Sequence, residues 1–221
     1  METLWHHYHH VLIAGAVGIF LILSAFLANL KLRHTEKCLV PSPKIGPATI
    51  FEAIVEALLE LMRGVLGEKA ETFFPLIGSL FIYIFACNLV GLIPGLAPPT
   101  DNINTNLACS LLVFLFYNYQ GIKHHGLINY GKHFLGPVIW LGPLMLVIEL
   151  ISHAVRPISL SVRLFGNMTG DHLVLGIFSH MTPILVPVIF MGLGLFVSFI
   201  QAFVFSLLSI VYLGLATEES H

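Results

Sequence analysis

Long apolar runs constrain this chain more than any other feature of its sequence. Four of them contain at least the roughly 20 residues that an α-helix needs to cross a hydrocarbon core. Only helices and closed barrels satisfy every backbone hydrogen bond inside lipid. The sequence therefore predicts an all-α polytopic membrane protein, folded as one membrane domain over residues 1–221, with about five membrane-embedded helices. The runs lie at 11–30, 73–93, 107–119, 137–180 and 184–215.

The composition excludes several other classes of protein. Hydrophobic residues make up 57% of the chain and charged residues only 10%, so membrane lipid is the expected surrounding. The formal net charge of −2 offers no basic patch for nucleic acid. Cys38, Cys87 and Cys109 are odd in number and widely spaced, which indicates neither a disulfide framework nor a zinc site.

Positive charges indicate the orientation of the chain in the membrane. None precedes the first apolar run, whereas four basic residues follow it within 14 positions. Because cytoplasmic loops carry an excess of lysine and arginine, the N-terminus is expected outside, and the first run is expected to be a retained span rather than a signal peptide. Five spans then place the C-terminus in the cytoplasm. The basic residues are Lys31, Arg33, Lys37 and Lys44.

The segment 49–66 differs from the spans. Glu52, Glu56 and Glu60 recur every four positions, and apolar residues fill the other faces. This pattern predicts an amphipathic helix that lies on the membrane surface.

The run 137–180 is too long for an upright span. As one helix, with a rise of 1.5 Å per residue, it would extend about 65 Å, roughly twice the hydrocarbon thickness. The helix is either broken, at Pro157 or at a glycine, or strongly tilted. The residues alone leave both alternatives open.

Four charged residues lie inside apolar sequence and within 23 positions of one another: Glu149, Arg156, Arg163 and Asp171. Each costs at least about 2.5 to 3.5 kcal/mol to place at the centre of a membrane helix. Glu149, Arg156 and Arg163 recur every seven residues and share one helical face. The polar residues assigned to the same stripe are Ser152, His153, Ser159, Asn167 and Asp171. The stripe is either a structural ion-pair seam or a hydrated ion path.

The chemistry of arginine favours the ion path. A guanidinium stays protonated at physiological pH, so Arg163 is a fixed positive charge and cannot carry protons by titrating. Such a charge suits an electrostatic gate, because it favours an ionised carboxylate nearby and repels passing cations. Glu149, Asp171 and nearby histidines can titrate and relay protons.

The last apolar run carries a second stripe of small and polar residues. Close helix packing alone explains Gly194 and Ser198. The amide of Gln201 needs a hydrogen-bond partner, and we expect this to be Arg163 or a chain of water. The stripe consists of Gly194, Ser198, Gln201, Ser209 and Tyr212.

Twelve histidines raise the alternative of a haem-binding membrane electron-transfer subunit. His153, His172 and His180 share no fixed helical face, and no cysteine or carboxylate completes a metal site at the N-terminal histidines. The sequence therefore predicts no metal and no other cofactor. A secondary antiporter is a third alternative, but the paired broken-helix repeats that are frequent in such folds are missing.

The run Arg156-Pro-Ile-Ser-Leu-Ser-Val-Arg163-Leu-Phe-Gly-Asn-Met168 resembles the signature of subunit a of F-type ATP synthases. The segment from Phe199 to Leu213 is similar to the end of the same subunit. The resemblance covers nearly the whole chain. It implies that 137–180 and 184–215 form two long, strongly tilted helices against a rotating ring of c subunits, and that Arg163 faces each ring carboxylate.

The resemblance also implies positions for two offset aqueous half-channels, at Glu149, Asn167, His172 and Gln201. His172 stands where bacterial relatives often have a glutamate, with Asp171 as the alternative carboxylate, and Gly194 stands where a polar residue is expected. Which of Asp171 and His172 relays protons stays open. Besides the gate, Arg163, the candidate path residues are Glu149, Ser152, His153, Arg156, Ser159, Asn167, Asp171, His172, Ser198, Gln201 and Tyr212.

The function expected from the resemblance is that of a stator subunit in the membrane sector of an ATP synthase, which couples proton flow to rotation of the c-ring. The expected partners are the c-ring, the b subunits of the peripheral stalk and the rest of the F1F0 complex. No phosphate-binding loop of the G-x-x-x-x-G-K-[ST] type is present, so no catalytic site is expected in this chain. The Leu-Phe-Gly-Asn form of the signature favours a bacterial plasma (inner) membrane.

Overall fold

The computed structural model describes residues 2–32, 47–93, 96–126, 142–181 and 185–217, and their regular structure is entirely helical. This confirms the predicted all-α class. Stretches long and apolar enough to cross a membrane occur at His10–Leu27, Glu52–Val90, Pro143–Phe178 and Val188–Thr217. The helices are α1 (Glu2–Leu32), α2 (Pro47–Leu66), α3 (Ala70–Val90), α4 (Ile103–His125), α5 (Gly142–Met181) and α6 (Leu185–Thr217).

Helix α1 packs on the side of the bundle against α3. A Cβ atom added to Gly18 would lie 3.8 Å from the ring of Tyr83. The Tyr83 hydroxyl donates a hydrogen bond to the Ala14 carbonyl over 3.4 Å. Between Val11 and Leu27, α1 exposes many large apolar side chains, as expected of a helix that faces lipid.

Helix α2 is amphipathic, as its glutamate spacing predicts. Leu58 and Met62 are buried against the bundle, whereas Glu52, Glu56 and Glu60 are exposed. A 3₁₀ turn at Gly67–Lys69 connects α2 to α3. The location of α2 on the membrane surface stays a prediction.

Helix α5 is continuous over 40 residues and contains Pro157 within its length. The alternative of a break at Pro157 is therefore wrong. At 1.5 Å per residue the helix is about 60 Å long, so only a strong tilt keeps most of it within a bilayer. The hydroxyl of Ser161 donates to the Pro157 carbonyl over 2.8 Å, next to the point where the proline ring removes a backbone donor.

The core lies between α3, α4, α5 and α6: α6 packs on each of the other three helices, and α4 packs on α5. Aromatic rings interlock there: Phe199 of α6 meets Phe81 and Phe85 of α3 edge to face, with centroids 5.9 and 6.0 Å apart. Helices in lipid associate through packing of this kind and through interhelical hydrogen bonds. On α5, Leu160, Leu164 and Met168 recur every four residues and are buried, which fixes the face that α5 turns outward.

Candidate functional site

The outward face of α5 carries the centre of the predicted stripe. Arg163, Ser159 and Asn167 are exposed, and at 100° per residue the latter two lie within about 40° of Arg163 around the helix. Gly166 and Gly170 lie on the same face, and a Cβ on either glycine would meet no other atom within 4 Å. Small and polar residues thus surround the arginine on an open surface. Ser152, also exposed, continues the stripe toward the N-terminus of α5.

Arg163 makes neither a hydrogen bond nor an ion pair with any other residue that the structure describes. Of the two partners predicted for Gln201, Arg163 is therefore not one within this part of the chain. Gln201 itself is buried on α6, with 9% of its surface exposed. A guanidinium on the exposed face of a membrane helix calls for a counter-charge, and the described part of the chain does not supply one.

A first group of polar residues lies on the N-terminal side of Arg163. Arg156 Nη2 is 3.8 Å from Glu149 Oε1, and the Arg156 guanidinium lies 5.3 Å from the ring centroid of Tyr212 on α6. Arg156 and Glu149 are seven and fourteen residues from Arg163, or about 10 and 20 Å along the helix. We call Glu149, Arg156 and Tyr212 the inner group. It brings together three of the predicted path residues.

His153 does not share the exposed stripe, and this corrects the prediction. Its position is about 80° around the helix from Arg163, so its ring turns toward α4 and is buried. The His153 Nε2 atom lies 2.7 Å from Asn118 Oδ1 and 3.3 Å from the Tyr117 hydroxyl. The ring also packs edge to face against Phe114, with centroids 5.1 Å apart. His153 therefore joins α5 to α4.

A second group of polar residues lies on the opposite side of Arg163. Asp101, in the 3₁₀ turn Pro99–Asp101 before α4, accepts a hydrogen bond from the Thr169 hydroxyl. Its other oxygen, Oδ2, is 3.5 Å from Nδ1 of His172. Thr169 and His172 are six and nine residues beyond Arg163, or about 9 and 13 Å along the helix. We call Asp101, Thr169 and His172 the outer group.

Asp101 was missed as a site residue because sequence reasoning sought the polar path only within the apolar runs, and Asp101 lies between the runs 73–93 and 107–119. The signal that was available is chemical: it is the sole carboxylate in the turn-rich segment 94–106. The sequence cannot show that this turn packs on α5. The fold brings it there because α3, α4 and α5 all contact the turn.

The Asp171 side chain belongs to neither group and lies against α6 at Gly194. A Cβ on Gly194 would lie 2.6 Å from Asp171 Oδ2 and 2.7 Å from Leu92 Cδ2, so no other residue type fits there without a shift of neighbouring side chains. The missing side chain at Gly194 thus leaves the space that the Asp171 carboxylate occupies. His172 and Asp171, adjacent in sequence, reach different elements.

Ser198 is buried on α6, and its carbonyl accepts a hydrogen bond from Asn88 Nδ2 over 3.4 Å. Asn88 Oδ1 in turn accepts from the Thr100 hydroxyl over 2.8 Å. Asn106 Nδ2 donates to the Thr100 carbonyl over 2.7 Å. This chain of contacts ties the turn that holds Asp101 to α3, α4 and α6. Within the described ranges, no three His, Cys, Asp or Glu side chains are grouped so as to hold a metal ion.

Comparison with known proteins identifies relatives along nearly the whole chain. Residues 11–214 match the family model of the ATP synthase A chain. ATP synthase subunit a of Bdellovibrio bacteriovorus is 44% identical over 216 residues, covering 98% of this chain and 94% of the relative. Those of Geobacter sulfurreducens and Geotalea daltonii are 48% and 51% identical, covering 80% and 77% of this chain and 76% and 74% of the relatives.

Proposed function

Because this chain belongs to the ATP synthase A chain family, we propose that it is the stationary, proton-conducting subunit in the membrane sector of a bacterial F-type ATP synthase. Its partners are then the ring of c subunits, the b subunits of the peripheral stalk and the remaining subunits of the complex. The chain has no catalytic site of its own in this assignment, and ATP chemistry belongs to other subunits.

The observation that carries the proposal is the exposed guanidinium of Arg163. It has no internal partner in the described part of the chain, and Gly166 and Gly170 leave the surface around it open. A rotating ring that carries one carboxylate on each subunit supplies the missing counter-charge. Small residues beside the arginine let the ring approach closely. Arg163 thereby holds each passing carboxylate in its ionised form.

The two groups on either side of Arg163 support two offset half-channels. The inner group lies about 10 to 20 Å toward the N-terminus of α5, and the outer group about 9 to 13 Å toward its C-terminus. Neither group reaches past Arg163 among the described residues, so we expect no proton to pass directly from one group to the other through this part of the chain. Transfer of a proton from one group to the other therefore requires a ring carboxylate to carry it.

The proposed cycle follows from the cost of charge in lipid. A proton enters by the outer group and neutralises a ring carboxylate, which then moves into lipid without the penalty of a bare charge. After nearly a full turn the carboxylate reaches the inner group and releases the proton to the other side. Arg163 receives the ionised carboxylate and blocks a direct leak. One charge crossing 100 mV delivers about 2.3 kcal/mol, so several protons drive each ATP.

The space at Gly194 bears on the choice between Asp171 and His172. The Asp171 carboxylate abuts α6 there, and Ser198 and Gln201 continue along the same side of α6 toward the level of Arg163. We therefore assign Asp171 to the end of the outer half-channel that adjoins α6. His172 is assigned to the end that faces Asp101 in the turn before α4. The orientation is N-terminus outside and C-terminus cytoplasmic, which puts the outer group on the outer side.

The test replaces Arg163 in the assembled complex. Inverted membrane vesicles carrying Arg163→Ala should show no ATP-driven proton pumping, and their passive proton leak should rise once the catalytic sector is stripped off. Arg63→Ala is the matched control: Arg63 lies on α2, paired over 2.7 Å with Glu71 at an exposed site, and such pairs contribute about 1 kcal/mol or less. Normal pumping and normal leak in Arg163→Ala vesicles would refute the gate.

A further inference from the structure

Asp101 is the one member of the outer group that lies outside the two long helices α5 and α6. It belongs to the turn before α4, yet both of its oxygens engage α5, one with Thr169 and the other near His172. We propose that Asp101 is the outermost proton-accepting group of the half-channel and passes protons to His172, with Thr169 as its positioning residue. This inference rests on the proposed function.

Geometry distinguishes the two oxygens of Asp101. The Thr169 hydroxyl has one proton to donate and gives it to Oδ1, which fixes the orientation of the carboxylate. Oδ2 is then directed at Nδ1 of His172, 3.5 Å away. That separation is slightly longer than a direct hydrogen bond, and such contacts tighten or take up a bridging water when a proton moves. A carboxylate and an imidazole are both able to accept and release a proton.

Exposure places the pair at an entrance. The side chain of His172 is 40% exposed and that of Asp101 is 25% exposed, so both are reached from outside the bundle without being fully solvated. The buried chain of Thr100, Asn88 and Asn106 holds the turn beneath Asp101 in place. A fixed, partly exposed carboxylate at the edge of a membrane helix bundle is suited to take up protons from water.

The route inward from the pair follows the register of α5 and α6. These helices run antiparallel, since they are consecutive, lie only three residues apart in sequence, and stack Phe178 on Phe190 with ring centroids 4.7 Å apart. Contact between Asp171 and Gly194 then sets Gln201 opposite residue 164, at the level of Arg163. The proton taken up at Asp101 passes to His172 and Asp171, and then along α6 to the ring carboxylate. One proton enters and one leaves, with no change of oxidation state.

A purely structural role for Asp101 makes a different prediction. An anchoring side chain needs only to accept the hydrogen bond from Thr169, and the amide oxygen of asparagine does that as well as a carboxylate. Asp101→Asn therefore keeps the anchor and removes the proton acceptor. Asp101→Glu keeps the acceptor on a longer side chain.

The experiment measures ATP synthesis and ATP-driven proton pumping in vesicles that contain the assembled complex, with assembly quantified for every variant. A positioned acid–base group typically contributes about 10² to 10⁴-fold to the rate of a proton transfer. Asp101→Asn should slow proton flux by about 100-fold at normal assembly, because the transfer it removes then limits the rate. Asp101→Glu should retain most of the proton flux. Thr169→Ser, which keeps the hydroxyl, should give a higher proton flux than Thr169→Val, which lacks it.

A second, independent test exchanges the residues at positions 101 and 172. Asp101→His combined with His172→Asp keeps one imidazole and one carboxylate across the same gap, so the double variant should pump faster than either single variant. Normal flux in Asp101→Asn, or a double variant no better than the singles at equal assembly, would overturn the role of Asp101. That outcome leaves the gate intact if Arg163→Ala still abolishes pumping. Normal pumping in both Asp101→Asn and Arg163→Ala would refute the proposed function as well.

Discussion

The buried hydrogen bond between Asn88 and Thr100 offers a direct measure of what polar contacts contribute inside this bundle. The Thr100 hydroxyl donates to Asn88 Oδ1 over 2.8 Å, and each residue is only 2% exposed. Thr100→Val removes the hydroxyl without a change of shape. It leaves the Asn88 oxygen without this donor, which costs about 1 to 3 kcal/mol for a buried group.

The coupling between the two residues is smaller than the effect of either substitution. Interhelical hydrogen bonds in a membrane protein average about 0.6 kcal/mol and reach about 1.7 kcal/mol. With its short distance and full burial, this bond should lie within that range. Asn88→Leu and Thr100→Val together should be less destabilising than the sum of the two, because replacing both partners leaves no unpaired group between them.

The assay is a double-mutant cycle on the free energy of unfolding, measured by SDS titration in mixed micelles and followed by near-ultraviolet circular dichroism. Additivity of the two substitutions within about 0.3 kcal/mol would contradict the argument, because distant and independent sites behave in that way. A coupling well above about 1.7 kcal/mol would also contradict it, and would indicate that the turn before α4 detaches when the bond is lost.

Substitutions at two further positions, Ser110 and Tyr212, separate packing from proton transfer. The hydroxyls of Ser110 and Ser161 lie 2.6 Å apart, and each is also within hydrogen-bonding distance of a carbonyl of its own helix, so one hydroxyl donates to the other while the second donates to its carbonyl. Ser110→Ala leaves Ser161 with the Pro157 carbonyl as acceptor, so it should cost no more than about 1 kcal/mol in the same SDS titration and leave proton pumping unchanged. Tyr212→Phe keeps the ring over which Arg156 lies and Tyr212→Leu removes it, so pumping should survive the first and fall in the second; equal loss in both would mean that the hydroxyl carries the proton.

Helix positions follow from the sequence wherever apolar residues run without interruption. Helix α4 shows where this approach fails, because the predicted run 107–119 is shorter than Ile103–His125. The first turn of α4 is rich in asparagine, which is typical of loops. In the structure Asn102 caps that turn, its side-chain oxygen accepting from the Asn104 N–H over 2.9 Å. The polar residues that indicate a loop therefore begin the helix.

The candidate site was predictable to the extent that it lies on one helix. Helical periodicity is enough to put Ser159, Arg163 and Asn167 on a common face. It fails for His153, which lies about 80° away and turns to α4, and for Asp101, which reaches α5 from another element. Contacts between elements depend on how the helices pack, and a single sequence does not specify that packing.

The polar residues of this bundle fall into two kinds, and the difference separates stability from function. Asn88 with Thr100, and Ser110 with Ser161, satisfy one another in the buried interior, so their contribution is complete within the chain. Arg163 is exposed and lacks an internal partner among the described residues. Removing a charge that the fold does not use should leave the free energy of unfolding nearly unchanged. Substitution of Arg163 should therefore stop pumping at normal stability, whereas substitution of a buried pair should lower pumping only as far as it lowers assembly.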